Sequence, residues 1–366
     1  MKKKVLSLLL AAAMTAALVG CAGAAAPAPA AEPAAEAAET SDAADVAETA
    51  ADAASGDLAN AKVGICIYQF ADNFMTLFRT ELENYLISQG FAKENISIQD
   101  GANDQATQTN QIQNFITEGV DVLIINPVNS SSAETITDMV VNAGIPLVYI
   151  NREPDAAEEQ RWQDNNWNVC YVGCDARQSG TMQGQIIADL GLEAIDFNGN
   201  GKVDYIMVEG DPENIDAQYR TEFSVKALTD AGMEVNELDD QVGNWDQAQG
   251  QQIVANALAN HGNDIEVVFC NNDAMALGAL QAIQTAGRTV GKDIYLVGVD
   301  ALTEVVEDVI AGTITGTVFN DHIAQSHGAA DAAINFVNGN TNDYYIGCDY
   351  VKVTTENAQA TLDSLK

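Results

Sequence analysis

From residue 61 onward, short runs of apolar, largely β-branched residues alternate with longer amphipathic stretches. Val63 to Tyr68 reads as a strand, and Asn73 to Ser88 as a helix with Phe74, Leu77, Phe78, Leu82, Tyr85 and Leu86 on one face. Further strands are predicted at Ile96–Gln99, Val122–Ile125 and Pro146–Ile150, with helices over 105–118 and 131–142. The pattern then restarts, with strands near 169–173, 203–208, 234–238, 266–270 and 294–299. Helices fall between them near 176–191, 215–231, 246–260, 274–286 and 302–311. Near-continuous apolar strands separated by helices indicate parallel sheets covered on both faces. Two such series predict an α/β protein of two doubly wound parallel-sheet lobes. The remaining segments, 315–319, 321–338, 346–353 and 355–364, are too few for a third domain. They are expected to cross back between the lobes as a multi-strand hinge. The first lobe is then 59–172 plus 321–352, and the second 173–320 plus 353–366.

The residues before this body read differently. Lys2, Lys3 and Lys4 precede an apolar run from Val5 to Val19, and a small residue and a cysteine follow at Gly20 and Cys21. A basic start, a short apolar stretch and a small-residue cleavage site mark a secretory signal peptide over 1–20. Leu18-Val19-Gly20-Cys21 resembles the lipobox of bacterial lipoproteins, which implies lipidation of Cys21 and attachment to a membrane through that anchor alone. Residues 22–58 are mostly Ala, Glu, Asp, Pro and Thr, a composition that cannot bury enough apolar surface to order itself. They are expected to form a tether. The place is then the outer face of a bacterial cell membrane.

Acidic residues number 53 against 16 basic, for a net charge of −37. Such a surface makes nucleic acid an implausible partner. The cysteines after Cys21 lie in or beside apolar runs, with spacings that suit no zinc site, and read as small buried hydrophobes.

In open α/β sheets ligands sit at the C-terminal ends of strands. Those ends carry Asp72, Asn73 and Phe74, then Asn126, Asn151 and Arg152. In the second series they carry 211–220, Asn271, Asn272, Asp273, Asp300, Asn320 and Asp321. A phosphate cradle needs a Gly-rich loop and a lysine, and neither is present. Nucleophilic catalysis needs a paired base, yet His261, His322 and His327 are assigned to no strand tip. Carboxylates, amides and a guanidinium suit a neutral polyol, whose C–H faces pack on aromatic rings, for which Phe74 and Trp245 are candidates. For any one tip the alternative is a helix cap or turn former.

Residues 196–204 read Asp-Phe-Asn-Gly-Asn-Gly-Lys-Val-Asp. Oxygen side chains at positions one, three, five and nine, with Gly201 at six, follow the spacing of a calcium loop. Position twelve is Met207 where a bidentate Glu belongs, so the loop does not close as a helix–loop–helix site. A plain Asn/Gly turn is the alternative.

These motifs together resemble the type I periplasmic sugar-binding proteins of bacterial ABC transporters, in particular the galactose/glucose-binding group. The resemblance runs from about 61 to 364. It rests on 72–75, 151–154, 171–175, the calcium loop, 265–268, 271–276, 298–302 and 316–321. It implies a pyranose held between Phe74 and Trp245, with hydrogen bonds from Asp72, Asn151, Asp216, Arg220, Asn272, Asp300 and Asn320. It implies a structural calcium ion on Asp196, Asn198, Asn200, the Lys202 carbonyl and Asp204, with Glu266 supplying the carboxylate that Met207 lacks. Asn214 stands where the group has histidine, at the position that meets the exocyclic hydroxymethyl, and Arg152 where it has lysine. The implied partners are one monomeric hexose, D-galactose or D-glucose, and an ABC permease, with the protein a monomer. Another monosaccharide, or a sugar receptor feeding chemotaxis, is the alternative.

A DNA-binding regulator of the same fold would need a basic N-terminal module, which this chain lacks. A glycosidase would need one carboxylic acid kept protonated beside a carboxylate. Asp72, Asp216 and Asp300, set among amides and Arg220, are expected to be ionised acceptors instead, so no enzymatic activity is expected.

Overall fold

The structure is a computed structural model and describes residues 57–365. The segment expected as a signal peptide, Cys21 expected to carry lipid and nearly all of the expected tether lie outside the described residues. Among the described residues no helix is long and apolar enough to cross a membrane.

The first lobe starts with β1 (Val63–Ile67), α1 (Asn73–Ser88), β2 (Ile96–Asp100), α2 (Gln105–Glu118) and β3 (Val122–Ile125). It continues with α3 (Ala133–Asn142), β4 (Leu147–Ile150), α4 (Ala156–Asn165) and β5 (Val169–Cys174). The second lobe begins with α5 (Ala176–Ala188), α6 (Leu192–Ile195), β6 (Val203–Glu209), α7 (Ile215–Asp230) and β7 (Val235–Val242). Next come α8 (Gln247–His261), β8 (Val267–Cys270), α9 (Asp273–Thr285), β9 (Tyr295–Val297), α10 (Thr303–Ala311) and β10 (Thr317–Phe319). The chain ends with α11 (His322–Val337), β11 (Tyr345–Cys348), β12 (Val351–Val353) and α12 (Ala358–Ser364).

The first sheet is parallel throughout, in the order β11-β5-β4-β3-β1-β2. The second runs β7-β6-β8-β9, also parallel. Bridges Val297–Gly316 and Asp300–Phe319 set β10 beside β9, and β12 pairs antiparallel with β10. Strands β1, β3, β4, β5 and β8 are buried along their whole length, as apolar runs covered on both faces require. Leu77, placed on the buried face of α1 by periodicity, is instead exposed at 38%.

The chain passes between lobes where β5 leads into α5, where β10 leads into α11 and where β11 leads into β12. Helix α11 packs on α1 and on the first sheet, and α12 on α10. The segment 346–353, expected to cross back between the lobes, does so as two strands broken at Asp349 and Tyr350, with β11 in the first sheet and β12 paired with β10 in the second lobe. The polar helix α4 was not expected. It buries only Glu158 and Trp162, whose indole donates to the Glu158 carboxylate at 2.6 Å. Strand β7 runs on to Val242, beyond the expected 238, because it is an edge strand with much of its length exposed and carries no sustained apolar run.

Candidate functional site

A cleft with about 330 Å³ of empty space, its open mouth included, lies between the lobes at the C-terminal ends of the strands of both sheets. All ten residues assigned to the ligand from sequence line it: Asp72, Phe74, Asn151, Asn214, Asp216, Arg220, Trp245, Asn272, Asp300 and Asn320. Phe74 comes from the first turn of α1 and Trp245 from the loop between β7 and α8, in opposite lobes. Trp245 packs on apolar side chains of both lobes, and the Arg220 guanidinium lies 5.6 Å from its ring centre.

Capping and lining turn out to be compatible at single residues. Asp72 caps α1 by accepting from the Met75 amide at 2.7 Å, and its other oxygen accepts from the Tyr68 hydroxyl at 2.7 Å. Asn214 caps α7 by accepting from the Asp216 amide at 3.0 Å, and Asn272 caps α9 by accepting from the Met275 amide at 3.0 Å. For Asn214 this commits Oδ1 and leaves Nδ2 to donate. Asn320 donates to Asp300 at 3.2 Å and accepts from Gln325 at 2.6 Å. Three lining residues other than glycine hold left-handed φ angles: Asn151 at +60°, Trp245 at +65° and Asp300 at +126°. Such backbone is costly, most of all for a bulky residue, and clusters where side chains must be aimed at a ligand.

Charge is concentrated here and buried. Arg220 lies 3.8 Å from both Asp216 and Asp300, donates to the Asn271 carbonyl at 2.9 Å and to the Tyr350 hydroxyl at 3.2 Å. Arg152, 1% exposed, has its guanidinium 3.7 Å above the Tyr68 ring and bridges to Asp211 of the other lobe at 3.2 Å. Among the described residues, Arg152 Nη2, Arg220 Nε and Asp216 Oδ1 are buried without a hydrogen-bond partner. Leaving such groups unpaired is expensive, and three of the eleven such atoms among the described residues belong to residues lining this cavity.

Burial works against ionisation at two of the aspartates expected to be ionised acceptors, Asp216 and Asp300. Burial pushes the Asp216 carboxyl up to about 6 and that of Asp300 well above its usual range, with the Arg220 charge opposing both shifts. Desolvation is the larger effect because both carboxyls are buried. No histidine was assigned to a strand tip, yet His322, just beyond β10, meets Phe74 edge-on at 6.3 Å. Sequence reasoning also passed over Tyr68, Met75 and Arg152 as lining residues. Arg152 had been noted at a strand tip, whereas Tyr68 was read only as the last residue of a strand.

Of the residues assigned to calcium, Asp196 to Asp204 form one loop running into β6, and Glu266 reaches it from the residue before β8. Gly201 has φ +81°, and Asp196 accepts from the amides of Asn200 and Gly201, both at 2.9 Å. Asn198 and Asn200 each donate to Asp204 Oδ2 at 2.6 Å, and Asn236 donates to Asp204 Oδ1 at 2.5 Å. Glu266, wholly buried, accepts from the Asn198 amide at 3.2 Å and the Asp204 amide at 3.0 Å. The Lys202 ammonium points away, toward Glu234 at 3.7 Å. Among the described residues no three His, Cys, Asp or Glu side chains are set around a point as metal ligands. The donor set nonetheless fits a hard cation. Asp204 and Glu266 are neighbouring buried carboxyls with no salt bridge among the described residues, and burial raises the Glu266 pKa. Turning over the Asn198 and Asn200 amides would bring oxygens to face Asp204, as calcium coordination requires.

Two doubly wound lobes closing on a buried polar cavity define a hinged solute-binding protein. The chain belongs to the periplasmic binding protein family: the profile described as "Periplasmic binding protein domain" matches residues 63–341. It is 33% identical over 290 residues to the D-galactose/methyl-galactoside binding periplasmic protein MglB of Haemophilus influenzae, covering 78% of this chain and 85% of that protein. It is also 33% identical over 299 residues to a putative rhizopine-binding protein of Rhizobium meliloti, covering 81% and 90%. An ABC transporter solute binding protein from Bacillus halodurans, solved with bound myo-inositol, superposes with a TM-score of 0.73 at 27% identity, covering 84% of this chain and 99% of that one.

Proposed function

We propose that this chain is the extracytoplasmic solute-binding component of an ABC sugar importer and closes its lobes over one neutral hexose, D-galactose or D-glucose. The observation that carries this reading is the trio of unpartnered buried groups, Arg152 Nη2, Arg220 Nε and Asp216 Oδ1, around a cavity lined by Phe74 and Trp245. Two donors and one acceptor at fixed positions match the hydroxyls and ring oxygen of a sugar, while the rings accept its C–H faces. The galactose-binding relative in Haemophilus influenzae supports the hexose reading. The solute-binding relatives support binding rather than turnover. The closed lobes are the form a membrane permease would dock. Cys21 anchors the protein by its lipid, and calcium held by 196–204 and Glu266 stiffens the second lobe.

A cyclitol is the second reading. It is favoured by Asn214 in place of histidine and by the myo-inositol bound to the Bacillus halodurans protein. Calorimetric titration with D-galactose, D-glucose, D-ribose, D-xylose and myo-inositol tests both. Tightest binding of a hexose supports the proposal, tightest binding of myo-inositol replaces it with the second reading, and absence of heat with all five overturns both.

A further inference from the structure

Cys174 ends β5 and Cys348 ends β11, and the two are register partners across neighbouring parallel strands. Such partners stand about 4.8 Å apart at Cα, within the roughly 4.4–6.8 Å that a disulfide spans. Cys174 is buried in the second lobe's core, and half-buried Cys348 packs against that same cluster. The two thiols lie close enough to perturb each other's ionisation. Each cysteine also marks a passage between lobes. Cys174 precedes Asp175, the N-cap of α5, and Cys348 precedes Asp349 and Tyr350 on the way to β12. These passages already touch: the Tyr350 amide donates to Gln178 Oε1 at 2.6 Å, and Gln178 Nε2 donates to Asp349 at 3.3 Å. Tyr350 in turn meets Arg220 in the cavity.

We infer that Cys174 and Cys348 form a disulfide that ties two of the interlobe passages together and restrains their separation when the lobes part. The oxidant is an external low-molecular-weight or protein disulfide. Cys348 loses its proton, and its sulfur attacks one sulfur of that disulfide, expelling a thiolate. Cys174 then loses its proton and attacks the Cys348 sulfur of the mixed disulfide, expelling the second thiolate. Two electrons and two protons leave the pair, and the external disulfide is reduced to two thiols. The order follows from the surroundings. Cys348 is the more exposed, and the neighbouring Cys174 thiol holds its own below the ordinary value against burial and the charges of Asp321 and Asp349. The Cys348 thiol, together with burial, pushes the Cys174 thiol up. Cys66, Cys170 and Cys270 are buried without a thiol partner of this kind, and burial raises each, with the charge of Asp273 adding to it at Cys270. They serve as an internal control.

The test exposes the full chain to oxidised glutathione, quenches and unfolds it, blocks remaining thiols with a maleimide and maps peptides by mass spectrometry. Of the five thiols in the described residues, oxidation should remove those of Cys174 and Cys348 and yield one linked peptide that dithiothreitol cleaves. Deuterium uptake over 175–178 and 349–353 should slow in the oxidised protein, and Cys348→Ser should lose both effects. Full labelling of both cysteines, or capture of Cys348 only as its glutathione adduct, overturns the disulfide. A linked peptide with unchanged exchange at both passages overturns the restraint.

Discussion

Asp216→Asn removes one charge from the cavity with almost no change of shape. Asp216 Oδ1 is buried and unpartnered, while Oδ2 lies 3.8 Å from Arg220. A hydrogen bond to a charged group contributes about 1.5–3 kcal/mol. Losing about 2 kcal/mol of it weakens hexose binding about 30-fold. Stability should not fall in parallel, because burial already pushes the Asp216 carboxyl up to about 6 and the substitution relieves that desolvation. The sign in pH follows from the same shift. Between its ordinary 3.8 and about 6 the folded Asp216 holds a proton that the unfolded chain has released, so its contribution to stability is lost as pH rises through about 6. A sugar hydroxyl donating to Oδ1 favours the opposite, ionised form. Affinity is therefore full above about pH 6 and declines as pH falls below it, and the decline is smaller in Asp216→Asn. Calorimetric titrations of both proteins at pH 7.5 and 5, with melting curves alongside, check each part. A variant that binds hexose as tightly as the parent at pH 7.5, or one with an unchanged pH response, refutes the reasoning.

Trp245→Ala should weaken hexose binding by about 2 kcal/mol, since it removes one apolar plate and its burial. Tryptophan fluorescence of the parent should change on adding sugar, and that change should vanish in the variant. Removing calcium with EDTA should lower Tm, because a site filled at one hundred times its Kd stabilises by about 2.7 kcal/mol. Glu266→Gln should make melting indifferent to EDTA and to added calcium, and an EDTA-insensitive parent contradicts the assignment. Asn214→His should alter the ratio of the galactose and glucose dissociation constants while lowering Tm slightly through a poorer helix cap. An unchanged ratio shows that this position does not read the hydroxymethyl group.

Much of the architecture was legible because both sheets are parallel and buried, which forces strands such as Val122–Ile125 and Val169–Cys174 to be apolar without interruption. The site was legible for a related reason: doubly wound sheets bring strand ends together, so Asp and Asn at those ends converge whatever else they do. The illegible parts share a cause too. Helix α4 buries one face through a Glu–Trp hydrogen bond and carries almost no apolar periodicity. Tyr68 differs from any strand-ending aromatic only in three dimensions, where Asp72 and Arg152 meet it. The raised carboxyls depend on how tightly the lobes close, which residue types do not encode. Cys174 and Cys348 are far apart in sequence, and only the register of β11 on β5 makes them neighbours. Glu266 was reached through resemblance alone, since nothing in 196–207 points to a strand so much later in the chain.

The central claim is that one neutral pyranose sits between Phe74 and Trp245, its hydroxyls shared among Asp216, Arg220 and Arg152. A crystal structure of the protein grown with D-galactose or D-glucose measures this directly. The account predicts ring density between the two aromatic faces, with a hydroxyl donating to Asp216 Oδ1 and sugar oxygens accepting from Arg152 Nη2 and Arg220 Nε. Saturating sugar that leaves the interlobe cavity filled by water, or a ligand that touches neither aromatic ring, contradicts it.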